Sequence, residues 1–583
     1  MKRIIPYQVN IASLSEHRKA LKNRPKKCQI LQLNFNDGAN LLSNRLDKQA
    51  HKWLVKLLKN VKPIIKLDIH KGLPYYKQNT AQNQFIQLAK IHSRIQILKT
   101  LYWHHSPAGL KLYCLWLKYT LNLVKFECIQ SQLDILAFDI ENKSRFENFQ
   151  RLIRRNKKLT SLVLSPKSIF GGAPANIFQL KNYPSTLKKL YFDVQPSGDV
   201  FMEKESLCNI CFSPMKILQD LTLILPNITE LWTAIFETFP GENQIQALQL
   251  GFTESSTEEL TVPSEWLKKM KNLHHIQFSF YTQPLGLGEL LTQLHRFKEL
   301  KSFHLSIEKL TEDNSFDLSL LTNCLANFID IQNLTLKLHQ NWSTELSMEF
   351  LQNLTSQIAT FSQLQRLKLH FHQVSSSDHR RGKAHCIDLN TNGLFDHLKN
   401  IKEFSFVSNF ASQDMFHNFL QALNSNASQL KKLKLDVGDF RPSKNFFSDF
   451  HHFLQEMKHI QVLNFPNLNI TNAKIFEETT EIICSLGSLR KLNLGVITKS
   501  ISNKVLLQVL SRIFALKHLK KLALKAFPIP KFQTPAGVAE FKTLFNHTIQ
   551  RNPELNAWNM YWHLLCIRKK SKFARSWNDS SPY

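Results

Sequence analysis

Nine basic residues sit at matching distances from leucine-like residues: Lys337; Arg366, Lys368 and His370; Lys432 and Lys434; Lys491; Lys521 and Lys525. Each lies one or three residues from the fourth position of a phrase such as Leu364-Gln-Arg366-Leu367-Lys368-Leu369 or Leu430-Lys-Lys432-Leu433-Lys434-Leu435. Cationic side chains repeated in this way offer one chemistry, the binding of anions. The anion is either the carboxylate of an acidic protein segment or the phosphate of a nucleic-acid backbone. Only Glu403 and Asp436 oppose them at the corresponding positions. In the earlier phrases the same positions read Asp193, Asp220, Thr222, Gln249, Gln277 and Ser279, with Lys189 the exception. The binding surface is therefore expected to be neutral or mildly acidic in its N-terminal half and basic in its C-terminal half.

The elements that must carry these residues follow from the phrase itself. Leu-x-x-Leu-x-Leu reads as a short half-buried strand, in which alternate side chains point to opposite faces. It returns as Leu489-Arg-Lys-Leu492-Asn-Leu494 and Leu519-Lys-Lys-Leu522-Ala-Leu524. Taking the fourth position of each phrase, the anchors are Leu136, Leu162, Leu190, Leu221, Leu248, Ile276, Phe303, Leu334, Leu367, Phe404, Leu433, Leu463, Leu492 and Leu522. They recur about every 30 residues, enough for one strand, one helix and two turns. Further strands are expected at 30–35, at 64–69 and, less sharply, around 95–98. Residues 102–130 are rich in Tyr, Trp and Leu and are expected to form an irregular unit or an extra helix. Between strands, 46–60, 344–361 and 500–516 carry apolar residues at helical spacing. Ser412 or Asp414 and Thr471 or Asn472 stand where helix caps belong.

On these phrases the chain resembles a leucine-rich-repeat protein of the long-repeat, ribonuclease-inhibitor-like class, over roughly residues 30–560. The resemblance implies an α/β leucine-rich-repeat solenoid, a curved horseshoe with parallel strands on its concave face, helices on its convex face and a binding role. The family pattern often continues with Asn or Cys three residues after the last strand Leu. Here that position holds Gln195, His372, Gly438, Ile497 or Phe527, and only Asn409 matches. The turns must be satisfied by other means. The chain then divides into a basic N-terminal segment (1–29), a solenoid of about 17 units (30–560) and a C-terminal cap with a basic tail (561–583). Leu555-Asn-Ala-Trp558-Asn-Met560 is expected as a last strand. The spacing from Leu367 to Phe404 is stretched, which predicts a protruding polar loop at 374–388.

Other chemistries find less support. The chain contains none of the patterns G-x-S-x-G, G-x-x-x-x-G-K-[ST], H-E-x-x-H or the dinucleotide-binding glycines, and no small-molecule substrate or cofactor is expected. Cys208 and Cys211 form a single C-x-x-C with no second pair for a structural zinc, and read as buried thiols. His370, His372, His379, His385 and Cys386 cluster near the long loop, and with 23 His in the chain chance proximity accounts for them. No apolar run reaches the ~18 residues needed to cross a bilayer. Lys and Arg number 75 against 45 Asp and Glu, a formal charge of +30, which favours acidic partners. Nine scattered cysteines fit a reducing compartment. The basic runs at 22–27 and 568–572 suit cytoplasm or nucleus, with a mitochondrial presequence as the weaker alternative. The expected function is a non-enzymatic scaffold that binds an acidic protein along the concave face. A nucleic-acid-associated or ribonucleoprotein subunit is the alternative.

Overall fold

The computed structural model describes residues 7–10, 30–35, 64–70, 95–101, 125–131, 150–166, 183–193, 215–226, 229–239, 244–253, 264–282, 287–310, 318–340, 348–373, 398, 400–408, 420–424, 427–436, 444–470, 472–497, 501–527 and 543. The chain divides into two compact units, 1–297 and 298–583.

Among the described residues, the first unit holds ten strands: β1 (Tyr7–Asn10), β2 (Ile30–Phe35), β3 (Ile64–His70), β4 (Ile95–Leu101), β5 (Lys125–Ser131), β6 (Ser161–Pro166), β7 (Lys189–Asp193), β8 (Asp220–Pro226), β9 (Ala247–Thr253) and β10 (His275–Thr282). Each pairs in parallel with the next. Helices α1 (Thr229–Thr238), α2 (Ser264–Leu267) and α3 (Leu287–Leu294) belong to the same unit. The second unit holds β11 (Ser302–Leu310), β12 (Asn333–Gln340), β13 (Arg366–Gln373), β14 (Glu403–Ser408), β15 (Lys432–Asp436), β16 (Val462–Ile470), β17 (Lys491–Ile497) and β18 (Lys521–Phe527). These too are parallel, neighbour to neighbour. Its helices are α4 (Leu318–Leu325), α5 (Met348–Ala359), α6 (Lys444–Glu456), α7 (Ala473–Ser485) and α8 (Asn503–Phe514). Parallel strands joined through helices, with a leucine phrase on each strand, make the fold an α/β leucine-rich-repeat solenoid.

The leucine anchors set the register. Leu162, Leu190, Leu221, Leu248 and Ile276 stand opposite one another on β6 to β10. Phe303, Leu334, Leu367, Phe404, Leu433, Leu463, Leu492 and Leu522 do the same on β11 to β18. A one-residue slip would turn every apolar side chain to the wrong face, so burial fixes this alignment. One anchor differs. The residue in register with Leu162 is Phe126 of β5, not Leu136, which lies outside the described residues. Residues 125–131 form a regular strand inside the stretch expected to be irregular. Phe126 and Cys128 stand in register with Leu162 and Leu164 where leucine would mark the phrase, so a leucine-based phase misses it. Likewise β1 falls within the 1–29 stretch set apart as a basic segment, and it pairs with β2 from Tyr7 opposite Leu31 to Asn10 opposite Asn34.

Two devices recur among the described repeats. The first Leu of a phrase donates its N–H to the carbonyl three residues before it, as Leu364 to Phe361 at 3.1 Å and Leu489 to Leu486 at 3.1 Å. This turn brings the chain into the strand. Then one carbonyl at strand entry accepts two successive N–H groups from the following repeat. Gln332 O takes Gln365 N at 2.8 Å and Arg366 N at 3.0 Å; Gln365 O takes Lys402 N at 2.9 Å and Glu403 N at 3.0 Å. The pattern repeats through Lys402, Lys431, Gln461 and Arg490 in the second unit, and through Thr160, Lys188, Gln219 and Gln246 in the first. At the exit, His372, Ile497 and Phe527 still lie within β13, β17 and β18. No turn forms at those positions, so none needs an Asn side chain there. Gln195, Asn409 and Gly438 lie outside the described residues, as do the 46–60 helix, Ser412 and Asp414, the 374–388 loop, the Leu555–Met560 strand and Cys208 and Cys211.

The core lies between strands and helices. The ring of Trp232 in α1 meets Phe252 of β9 at 4.3 Å, and Phe450 of α6 meets Phe465 of β16 edge-on at 5.1 Å. The anchors Leu334, Leu367 and Leu433 are fully buried. The helical stretches at 344–361 and 500–516 shorten to α5 and α8, and Asn472 caps α7 by accepting from Lys474 N at 2.8 Å and Ile475 N at 3.3 Å. Alternate strand residues face away from the helices, on what is here called the open face.

Candidate binding face of the second unit

Register arranges the open face into rows. The entry row reads Ser302, Asn333, Arg366, Glu403, Lys432, Val462, Lys491, Lys521. The next row, two residues on, reads His304, Thr335, Lys368, Ser405, Lys434, Asn464, Asn493, Ala523. The third contains Ser306, Lys337, His370, Val407 and Asp436, and farther along Gly495 and Lys525. Neighbouring strands stand about 4.8 Å apart, so side chains in one row touch their neighbours.

Eight of the nine basic residues thus share one face, the side chain of Lys525 lying outside those described, but they do not form one uniform patch. At the strand entries, Glu403 sits between two cations. Its Oε1 lies 2.6 Å from Lys432 Nζ and 3.4 Å from Arg366 Nε. Its side chain is only 16 % exposed, whereas Arg366 and Lys432 are 57 % and 48 % exposed. Arg366 and Lys432 are therefore already engaged. Farther along, Lys491 and Lys521 lie directly opposite each other with Val462 on the other side of Lys491. The polar bond between Asn493 Nδ2 and Asn464 Oδ1, at 2.8 Å, fills the row beneath. Lys525 stands on β18 opposite Gly495.

The middle of the face is different. Lys337, Lys368 and Lys434 come from β12, β13 and β15. Lys434 Nζ reaches Asp436 Oδ2 only at 4.0 Å. Burial, and then the positive charges of Lys368 and Lys434, lower the affinity of Lys337 for its proton, while Glu308 acts the other way. His304 is pushed down to about 4 by burial first and then by Lys337 and Lys368. His339 is lowered too, by burial and then by Lys337. His304 Nε2 is buried and makes no hydrogen bond to the described residues. His370 Nε2 lies 3.1 Å from Ser405 Oγ. Here the cations outnumber the carboxylates Glu308 and Asp436, and the surplus can hold an anion.

His304 and Ser405 did not stand out as site residues by type. Their positions, one residue past Phe303 and Phe404, carry the same signal that picks out Lys368. In the first unit the open face is quieter. Lys189 Nζ pairs with Asp220 Oδ2 at 3.6 Å, and the Tyr191 hydroxyl donates to Asp193 Oδ2 at 3.2 Å. Burial, with the Asp193 charge behind it, raises that phenol to about 12.

No protein-family model matches this chain, and no curated relative does. Among solved structures it is similar to TLR13 in its complex with ssRNA13, at 12 % identity and a TM-score of 0.31, covering 80 % of this chain and 66 % of that one. It is also similar to Toll of Drosophila in the Toll–Spatzle complex, at 13 % identity and a TM-score of 0.27, covering 89 % and 61 %. The match spans a little under two thirds of the length of each of those chains. Scores at this level carry no argument about the present protein, whose fold rests on its own strands and register. No helix among the described residues is long and apolar enough to cross a membrane.

Proposed function

We propose that this protein is a non-enzymatic scaffold that docks an acidic protein segment on the open face of its second unit. The observation that supports this most is the set of Lys337, Lys368 and Lys434, held on β12, β13 and β15, where they outnumber the carboxylates that act on them, Glu308 and Asp436. A rigid strand array holds such groups in place before a partner arrives, so less ordering is needed on binding. Acidic protein is favoured over single-stranded nucleic acid because the described open-face positions of β11 to β15 hold no Phe, Tyr or Trp. Base stacking on aromatic side chains supplies much of the affinity of such sites. The scattered odd set of nine cysteines supports an intracellular location, cytoplasmic or nuclear.

The test is charge reversal. Arg366, Lys368, Lys432 and Lys434 are changed together to Glu, and Lys458, Lys474, Lys504 and Lys517 are changed to Glu in a separate chain with the same charge loss. Binding of a glutamate-rich peptide is followed at low salt. The first variant is expected to lose binding and the second to keep most of it. Equal losses, or binding unchanged in the first variant, would overturn the proposal.

A further inference from the structure

We propose that the slot over Ser405, walled by Lys368 and Lys434 and bordered by Lys337, binds the phosphate group of a phosphorylated side chain. The inference rests on the docking face proposed above and narrows what it takes.

The slot follows from the register. Lys368, Ser405 and Lys434 occupy one row on β13, β14 and β15. The two lysines are thus two strand spacings apart, about 10 Å between backbones. Between them stands the smallest side chain of that stretch, Ser405, 7 % exposed. Two long cationic chains on either side of a short hydroxyl leave a recess whose walls are ammonium groups. Its floor already contains a polar pair, His370 Nε2 and Ser405 Oγ at 3.1 Å. With the ring proton on Nε2, Ser405 accepts from His370 and its own hydrogen is directed to a bound oxygen. Lys337, opposite His370 on β12, adds the third cation.

The number of charges points to a phosphate rather than a carboxylate. Three ammonium groups border the recess, against two carboxylates: Asp436, 4.0 Å from Lys434, and Glu308, which acts on Lys337. Lys368 and Lys434 both lower the affinity of Lys337 for its proton, with Glu308 acting against them. A phosphoryl group brings a charge near −2 and three acceptor oxygens, against one charge and two oxygens for a carboxylate. His304, beside Lys337 and Lys368, has a buried Nε2 without a hydrogen-bond partner among the described residues. The polarity of the recess thus extends one strand further. A nucleic-acid backbone suits the face less well. Its regularly spaced phosphates need a continuous basic track, and here the rows are broken by Glu403, Val407 and Asp436.

The test uses the full chain with a glutamate-rich peptide carrying one phosphoserine, the same peptide with serine, inorganic phosphate as competitor and a mixed-sequence single-stranded oligonucleotide, all at one ionic strength. Calorimetry is run on the wild type, on Lys368→Gln/Lys434→Gln and on Lys458→Gln/Lys504→Gln, which removes the same charge from outside the face. The phosphopeptide is expected to bind at least tenfold tighter than the serine peptide, and inorganic phosphate to compete with it. That preference is expected to vanish in the first variant and persist in the second. Equal binding of the two peptides, with both lost on charge reversal of the face, overturns the phosphate site and leaves the docking face standing. Failure of both peptides to bind overturns both ideas. Equal loss of the preference in the two variants, or an oligonucleotide binding tighter than the phosphopeptide, overturns the phosphate site as well.

Discussion

Glu403 shows how one side chain can set the strength of a binding face. Its carboxylate occupies Arg366 and Lys432 at the strand entries, leaving Lys337, Lys368 and Lys434 as the more available cations. Because both partners are about half exposed, the pairs themselves contribute little to stability. Glu403→Gln is expected to change unfolding free energy by less than about 1 kcal/mol and to tighten the binding of an acidic peptide roughly three- to tenfold. An unchanged or weaker affinity would show that Glu403 contributes something other than competition. His304 supplies a pH signature. Its folded pKa, about 4, lies below the ordinary value of 6.5. The unfolded chain therefore binds the proton more readily than the folded one. The stability from the neutral buried ring is complete above about pH 6.5 and is lost as pH falls toward 4. From about pH 7 to pH 5 the loss is roughly 2 kcal/mol. Denaturant midpoints of the wild type and His304→Gln should converge over that window, and parallel curves would contradict it.

At the scale of the strand, Leu433 is fully buried in the anchor row between Phe404 and Leu463. Leu433→Ala is expected to cost about 2–5 kcal/mol, from lost transfer energy and the cavity left behind. Because each repeat packs on its neighbours, amide exchange should rise mainly in β14, β15 and β16. A uniform rise across the second unit would contradict nearest-neighbour coupling. These anchors were legible in the sequence because a strand buried on one face repeats its apolar residues every second position, and leucine marks most copies. Where Phe126 and Cys128 hold the register positions of Leu162 and Leu164, the leucine signal disappears, and residues 125–131 read as irregular. The basic residues were legible in the same way, since strand period assigns them to one face. Their unequal availability was not. The clamp of Glu403 on two cations, the recess over Ser405 and the burial of His304 depend on which strands stand side by side, and that follows only from the register.

At the scale of the whole chain, positive charge is not spread evenly over the described open-face side chains of β7 and β8 in the first unit and of β11 to β15 in the second. In the first, Lys189 is matched by Asp220, and Asp193 is held by Tyr191. In the second, the described middle rows carry a surplus. The double-acceptor carbonyl that recurs at the described strand entries has a consequence for how such a chain can grow. It locates each repeat by two N–H groups and one oxygen confined to a few residues, whatever length of chain lies between one entry and the next. Spacing between anchors can then drift, as from Leu367 to Phe404, without disturbing register. The natural unit of gain or loss is one full period, cut at the entry. Excising residues 333–365 would join Gln332 to Arg366 and let Arg366 N inherit the bond to Lys301 O now made by Asn333 N. The shortened chain is expected to fold with β13 beside β11 and to retain cooperative unfolding. A cut of half a period, residues 333–347, would remove β12 but keep α5, leaving that helix face without a strand partner, and its product is expected to aggregate. Circular dichroism and sedimentation of the two products separate these outcomes, and a folded product from the whole-period cut alone would make one full repeat the unit by which such an array can be shortened or extended.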